Sequence, residues 1–112
     1  MLVVEDETDL REVMGLVLSG GGYCVQLAAD AGEAIALLDS THFDVVVTDL
    51  LVPGGGGRAV LDYTRRLPAP PPVIVVTGNV ERGAVDDLGA TECLHKPAGG
   101  REVLEAVRRV LW

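Results

Sequence analysis

The chain has 112 residues, the length of one domain, and with 48% hydrophobic residues it can bury a core. Its apolar runs fall far short of the about 20 residues a membrane span needs, and "MLVVEDE" lacks the basic region of a secretory signal, so neither membrane insertion nor export is expected. A formal net charge of −8 argues against direct nucleic-acid binding and favours metal cations and basic or neutral proteins as partners.

The first predicted element is a strand, Leu2 to Val4, running into "EDE". Residues 9–19 then place Leu10, Val13, Met14, Val17 and Leu18 on one stripe, an amphipathic helix. Gly15 inside it costs about 1 kcal/mol relative to alanine and is read as a tolerated substitution. "SGGGY" is a turn, and Cys24 to Leu27 form a second strand. Residues 31–40 carry Ala34, Leu37 and Leu38 and open with a capping box, Asp30 and Glu33. A third strand, Phe43 to Val47, leads through Thr48 to Asp49 and then to "LLVPGGGG". The glycine run 54–57 contains neither a Gly-x-Gly-x-x-Gly nor a Walker-type pattern, so nucleotide binding is discounted. It is read as a flexible loop that lets the backbone bend around a metal.

Residues 57–67, with Val60, Leu61 and Leu67, form a third helix, closed by the turn "LPAPPP". Val73 to Val76 is a fourth strand ending at Thr77. Residues 79–88 are the weakest helix, with Gly83 inside and few apolar anchors. Cys93-Leu94 is a weak fifth strand that leads to Lys96. Residues 101–111 form a clear amphipathic helix on Val103, Leu104, Val107, Val110 and Leu111, and Arg108-Arg109 suit its C-terminal dipole. Trp112 is free either to pack or to dangle. Strand and helix alternate five times, which predicts an α/β fold with a parallel sheet covered on both faces. Residues 1–112 are read as a single domain with no output domain.

Some residues carry little signal. Cys24 and Cys93 have no metal-type spacing and read as small buried hydrophobes in a reducing, cytoplasmic compartment. His42 and His95 have no partner spacing for a metal, and His95 should face away from Lys96 on a strand. Lys96 is the single lysine in a chain with eight arginines.

In a parallel sheet the carboxyl ends of the strands meet along one edge, where open α/β folds bind ligands. Strand one delivers Glu5 and Asp6 there, strand three Asp49, strand four Thr77 and strand five Lys96. Three carboxylates in one place repel, and each raises the pKa of its neighbours unless a cation joins them. Oxygen ligands suit a hard ion, and Mg²⁺ takes one or two carboxylates, waters and a phosphate oxygen. With the Lys96 ammonium and the Thr77 hydroxyl, the set can stabilise a transferring phosphoryl group, with Asp49 as nucleophile and Glu5 and Asp6 holding the metal.

Four segments, "LVVEDE", "DVVVTDLLVPGGGG", "VIVVTGN" and "GATECLHKP", occur in order with this spacing and together span essentially the whole chain. The chain thereby resembles the receiver domain of two-component response regulators. The resemblance implies a flavodoxin-like, doubly wound five-stranded sheet of order 2-1-3-4-5. It implies that Asp49 accepts a phosphoryl group from a phosphohistidine on a histidine kinase or histidine phosphotransfer protein. Asp6 matches the more direct Mg²⁺ ligand of the acidic pair with Glu5, and the Leu51 backbone carbonyl matches a third protein ligand. Thr77 matches the switch hydroxyl and Lys96 the lysine that pairs with the phosphoryl group. Pro53 and Gly57 match loop positions after the acceptor, and Gly78 a small residue beside it. A homodimer is compatible with the family.

Three features depart from the family pattern. Cys93 stands where a tyrosine or phenylalanine is usual, and Ala98 where an aromatic commonly follows Lys-Pro. The segment from Thr77 to Gly89 is shorter than usual by about one helical turn of roughly 3.6 residues. The phosphorylation chemistry therefore reads as intact and the output surface as altered. A pseudo-receiver that signals without phosphate is one alternative. A small phosphatase with an aspartate nucleophile is another, but the position two residues after Asp49 is Leu51, which cannot act as a general acid. The implied strand order also puts Cys24 and Cys93 on opposite sheet edges, so no disulfide joins them.

Overall fold

A computed structural model describes residues 1–78 and 89–111. The predicted helix over 79–88 and Trp112 lie outside the described residues, as does most of the segment read as shortened. The strands are β1 (Leu2–Val4), β2 (Gln26–Ala28), β3 (Val46–Asp49), β4 (Val73–Thr77) and β5 (Glu92–His95). The helices are α1 (Thr8–Gly20), α2 (Ala31–Ser40), α3 (Gly56–Arg65) and α4 (Gly100–Leu111). The strands pair in parallel in the order β2-β1-β3-β4-β5, as the sequence reading expects.

Alternation along the three central strands builds two cores. Leu2, Val4, Val46, Val73 and Val75 point to one face and pack with Ala34 and Leu38 of α2 and Val60 and Leu61 of α3. Val3, Val47, Ile74 and Val76 point to the other face and pack with Met14 and Leu18 of α1 and Val103, Ala106 and Val107 of α4. Every residue of β1, β3 and β4 is buried, which is why these strands read as unbroken apolar runs. The edge strands β2 and β5 are only partly covered, hence their weaker patterns.

The helix starts follow local chemistry. At α2 the Asp30 carboxylate accepts the Glu33 N–H at 2.7 Å, and the Glu33 carboxylate reaches back to the Ala29 N–H at 3.3 Å. This is the predicted capping box, reciprocated one residue earlier than the ideal.

Several sequence expectations are corrected. Val13 leaves the buried stripe of α1 and is 50% exposed, because Met14, Gly15 and Leu18 already fill the side facing the sheet. Gly15 is more than a tolerated substitution: a Cβ there would sit 3.3 Å from Leu27 Cδ1, so the glycine lets α1 lie close against β2. Leu67 falls beyond α3 yet still packs, partly buried, against the same core. Cys24 is exposed rather than buried, because β2 begins only at Gln26 on the open edge of the sheet. Cys93 is half-buried on β5, at the opposite edge.

Candidate functional site

The parallel register carries chemistry to the carboxyl edge of the sheet. Val4 aligns with Thr48, Asp49 with Val76, and Thr77 with His95. The residues just past these pairs are therefore Glu5 beside Asp49, and Lys96 beside Gly78, one residue beyond Thr77. The Glu5 N–H donates to the Ala28 carbonyl at 3.0 Å, and the Lys96 N–H donates to the Thr77 carbonyl at 2.7 Å. Both residues are thus fixed by the ends of the ladders.

Asp49 is the last residue of β3, and 7% of it is exposed. One carboxylate oxygen, Oδ1, accepts the Leu51 N–H at 3.0 Å. The other, Oδ2, forms a close ion pair with Lys96 Nζ. Carboxylate oxygens of Glu5, Asp6 and Asp49 all lie within 4.8 Å of one another. Asp6 is exposed while Glu5 is buried, so the cluster opens to solvent on the Asp6 side.

This proximity perturbs the titration of the group. The Glu5 carboxyl is pushed up to about 7, first by burial and then by its hydrogen bond to Asp49 and the charge of Asp49. Lys96 is raised above its ordinary value chiefly by its hydrogen bond to Asp49. Both shifts describe a buried negative charge for which Lys96 is the nearest cation.

Thr77 ends β4 and is fully buried. Its hydroxyl has no hydrogen-bond partner among the described residues. A buried donor left in that state is unusual in a folded protein and points to a ligand oxygen it can serve.

The glycine run is a built turn. Gly54, Gly55 and Gly56 take φ values of +84°, +108° and +76°, a left-handed region that residues with a Cβ rarely enter. The turn brings the Gly57 N–H onto the Leu50 carbonyl at 2.9 Å. A Cβ on Gly57 would lie 2.6 Å from the Asp49 carbonyl oxygen and 3.0 Å from Leu50 Cα. Glycine is required there for α3 to start against the backbone that carries Asp49. The expectation of a merely flexible loop is corrected accordingly. The Pro53 carbonyl accepts the Ala31 N–H at 2.9 Å, tying the same loop to α2.

The structure thus brings together Glu5, Asp6, Asp49 and Lys96, and sets Thr77 at the end of the neighbouring strand. Leu51 lies in the loop beside Asp49 with its side chain 70% exposed. Gly78 follows Thr77, 4.0 Å from Lys96 Cδ. Sequence reading missed Arg11, whose guanidinium donates to the Glu5 carbonyl at 2.9 Å and to the Asp6 carbonyl at 3.4 Å. Its spacing of five and six residues from the acidic pair was the available signal, since the first turn of a following helix folds back over the loop before it. His95 is exposed at the end of β5.

Comparison with known proteins gives a consistent result. A family model described as the response regulator receiver domain matches residues 1–108. The transcriptional regulatory protein PmrA of Pectobacterium parmentieri is 36% identical over 117 residues, covering 99% of this chain and 51% of that protein. The response regulator MprA of Mycolicibacterium vanbaalenii is 37% identical over 114 residues, covering 99% of this chain and 49% of that protein. The chain therefore spans about half the length of these curated relatives. Among solved structures, a CheY-like response regulator receiver domain from Methanospirillum hungatei superposes with a TM-score of 0.88 at 27% identity, covering 98% of this chain and 90% of that one. The chemotaxis response regulator CheY4 of Vibrio cholerae superposes with a TM-score of 0.87 at 28% identity, covering 98% and 96%.

Proposed function

The chain belongs to the response regulator receiver domain family, and from that premise we propose that it is a phosphoacceptor module of a two-component phosphorelay with Asp49 as the acceptor. The observation that carries the reading is the pairing of a buried Asp49 with Lys96 inside a cluster that also holds Glu5 and Asp6. The donor is a phosphohistidine of a histidine kinase or histidine phosphotransfer protein.

In the transfer, an Asp49 carboxylate oxygen attacks phosphorus as the phosphorus–nitrogen bond to histidine breaks, leaving an aspartyl phosphate and a free imidazole. The Lys96 ammonium balances charge on the moving phosphoryl oxygens. The Thr77 hydroxyl, which has no other partner among the described residues, donates to one of them. The Leu51 N–H holds Asp49 by its Oδ1 and orients the carboxylate. The donor set fits Mg²⁺: it offers oxygen alone, and three carboxylates gather within 4.8 Å. Glu5, Asp6, Asp49 and the Leu51 carbonyl are its proposed ligands, with Asp6 more direct than Glu5. When bound, Mg²⁺ neutralises charge between the acceptor and the phosphoryl oxygens.

The module is read as a signalling domain that catalyses only its own phosphorylation and dephosphorylation. Leu51 supports this over a phosphatase, because an apolar side chain beside Asp49 cannot carry a proton to a leaving group. The pseudo-receiver reading is less favoured, since all the side chains the chemistry needs stand at the same edge of the sheet. The test is incubation with Mg²⁺ and acetyl phosphate or beryllofluoride, read by intact mass and by fluorine resonance. An adduct is expected on the wild type and none on Asp49→Asn. A wild-type protein that forms no Asp49-dependent adduct would overturn the proposal.

A further inference from the structure

The acceptor stands at the mouth of a cleft much larger than a phosphoryl group. The cleft has a volume of about 590 Å³ and, among the described residues, its walls are Val3, Leu10, Met14, Val47, Val76 and Ala98. That volume falls in the range of small-molecule sites, which are concave, mainly apolar and oriented by a few polar groups. Here the polar groups are gathered at one end: Glu5, Asp49 and Lys96 line the same cleft. Small residues keep it open, since Gly78, Ala98 and Gly99 form the side where β4 and β5 exit.

The charge at that end is specific. Lys96 is the one cation lining the cleft among the described residues, and it is already paired with Asp49. Arg11 lies nearby, but its guanidinium is spent on the backbone carbonyls of Glu5 and Asp6. Glu5 and Asp6 form no ion pair with any described side chain. Glu5 is only 6% exposed, so its carboxylate is available from the cleft more than from bulk water. An apolar wall that ends at Glu5 and Asp49, with the exposed Asp6 gathered beside them and Lys96 the one cation in the lining among the described residues, is complementary to one kind of small molecule, a ring or short hydrocarbon that carries an ammonium group.

We propose that the cleft beneath the acceptor binds small aromatic or alicyclic amines, with the apolar body against Ala98, Met14 and Val76 and the ammonium at the acidic end formed by Glu5 and Asp49 with Asp6 beside them. An amine bound in this way occupies the carboxylates assigned to Mg²⁺, so amine and metal compete. Only that competition rests on the phosphoacceptor reading; amine binding itself stands on the cleft and its charges.

The experiment is an amide-shift titration of ¹⁵N-labelled protein in magnesium-free buffer, using tryptamine, indole-3-propionate and ethylamine as probes. Tryptamine is expected to give saturable shifts at residues around Ala98 and Glu5. Indole-3-propionate, which has the opposite charge on a similar body, and ethylamine, which lacks the body, are each expected to bind at least tenfold more weakly. Ala98→Phe and Ala98→Leu fill the cleft and are expected to weaken tryptamine at least tenfold while still forming the beryllofluoride adduct, which also shows that they fold. Mg²⁺ is expected to raise the apparent dissociation constant for tryptamine in proportion to its concentration. The proposal is overturned by the absence of saturable shifts, by equal binding of the anionic probe, or by Ala98 variants that form the adduct and bind tryptamine as the wild type does. A normal adduct with no amine binding defeats this inference alone, whereas a missing adduct with intact amine binding defeats only the phosphoacceptor reading.

Discussion

Replacing Thr77 with valine should stabilise the protein and weaken its activated state at the same time. The side chain is completely buried and its hydroxyl meets no partner among the described residues. A buried donor in that condition costs about 1–3 kcal/mol relative to an apolar group of the same shape. Valine keeps the branched outline and removes the hydroxyl, so a gain of about 1–2 kcal/mol is expected. Unfolding entropy near the midpoint is about 2.1 cal/mol/K per residue. For 112 residues that comes to about 0.24 kcal/mol/K, so the gain corresponds to a Tm rise of about 4–8 °C. The beryllofluoride complex should behave in the opposite sense. A hydrogen bond to a charged oxygen contributes about 1.5–3 kcal/mol, so the variant should bind beryllofluoride at least about tenfold more weakly. Differential scanning calorimetry with and without Mg²⁺ and beryllofluoride measures both effects. A Thr77→Val protein that melts several degrees lower, or whose Tm rises on adduct formation as much as the wild type's, would refute the reasoning.

Glu5 should give metal-free stability a distinctive pH dependence. Its folded value of about 7 lies above its ordinary 4.5, so the folded state retains a proton that the unfolded state loses between those values. The contribution is fully present below about 4.5 and is lost as pH rises through about 7. With chelator present, Tm should therefore carry a falling component across that window, and Glu5→Gln should remove it; an identical slope in the variant would count against the assignment. Asp49→Asn removes a charge and a hydrogen bond that raise Glu5, so the Glu5 carboxyl should titrate lower by carbon-detected NMR, and an unchanged value would show that burial alone sets it. Gly57→Ala should cost about 1–3 kcal/mol, because its Cβ would meet backbone atoms that cannot rotate away; chemical denaturation showing no loss would mean the turn after β3 can move.

The sheet was legible because burial on both faces writes itself as unbroken apolar runs. β1, β3 and β4 are such strands, and their ends mark which side chains gather at the edge of the sheet. The edges were harder to read. Cys24 looks like the start of β2 by composition, yet an edge strand buries little and the ladder begins two residues later. Val13 fits the helical stripe of α1 by spacing, but spacing does not say which part of an apolar stripe the sheet covers. The glycines 54–56 could not be read as three left-handed residues, because composition permits that conformation without requiring it. Arg11 escaped notice because its partners are backbone carbonyls, which every sequence possesses. Glu5, Asp6, Asp49, Thr77 and Lys96 were readable as a set because a parallel sheet delivers every strand end to one edge, so complementary chemistry on four strands is informative where any one residue is not.

The site carries two features that do not favour folding: a buried hydroxyl with no partner among the described residues and a carboxyl driven up to about 7 by burial beside another acid. Each is tolerated because the apolar cores on both faces of the sheet hold the strand ends in place. Each is also relieved by the proposed chemistry, since a cation offsets the clustered acids and a phosphoryl oxygen accepts from Thr77. Each ligand would release its own share of free energy, which would bias the molecule toward a second state without new apolar contacts. Lys96 links the two, because its N–H is bonded to the Thr77 carbonyl while its ammonium is bonded to Asp49. On the proposed function, moving that ammonium from the Asp49 carboxylate to a phosphoryl oxygen would act directly on the β4–β5 edge. That edge is where a change at Asp49 would register, because β5 pairs directly with β4 there and has no fully buried residue.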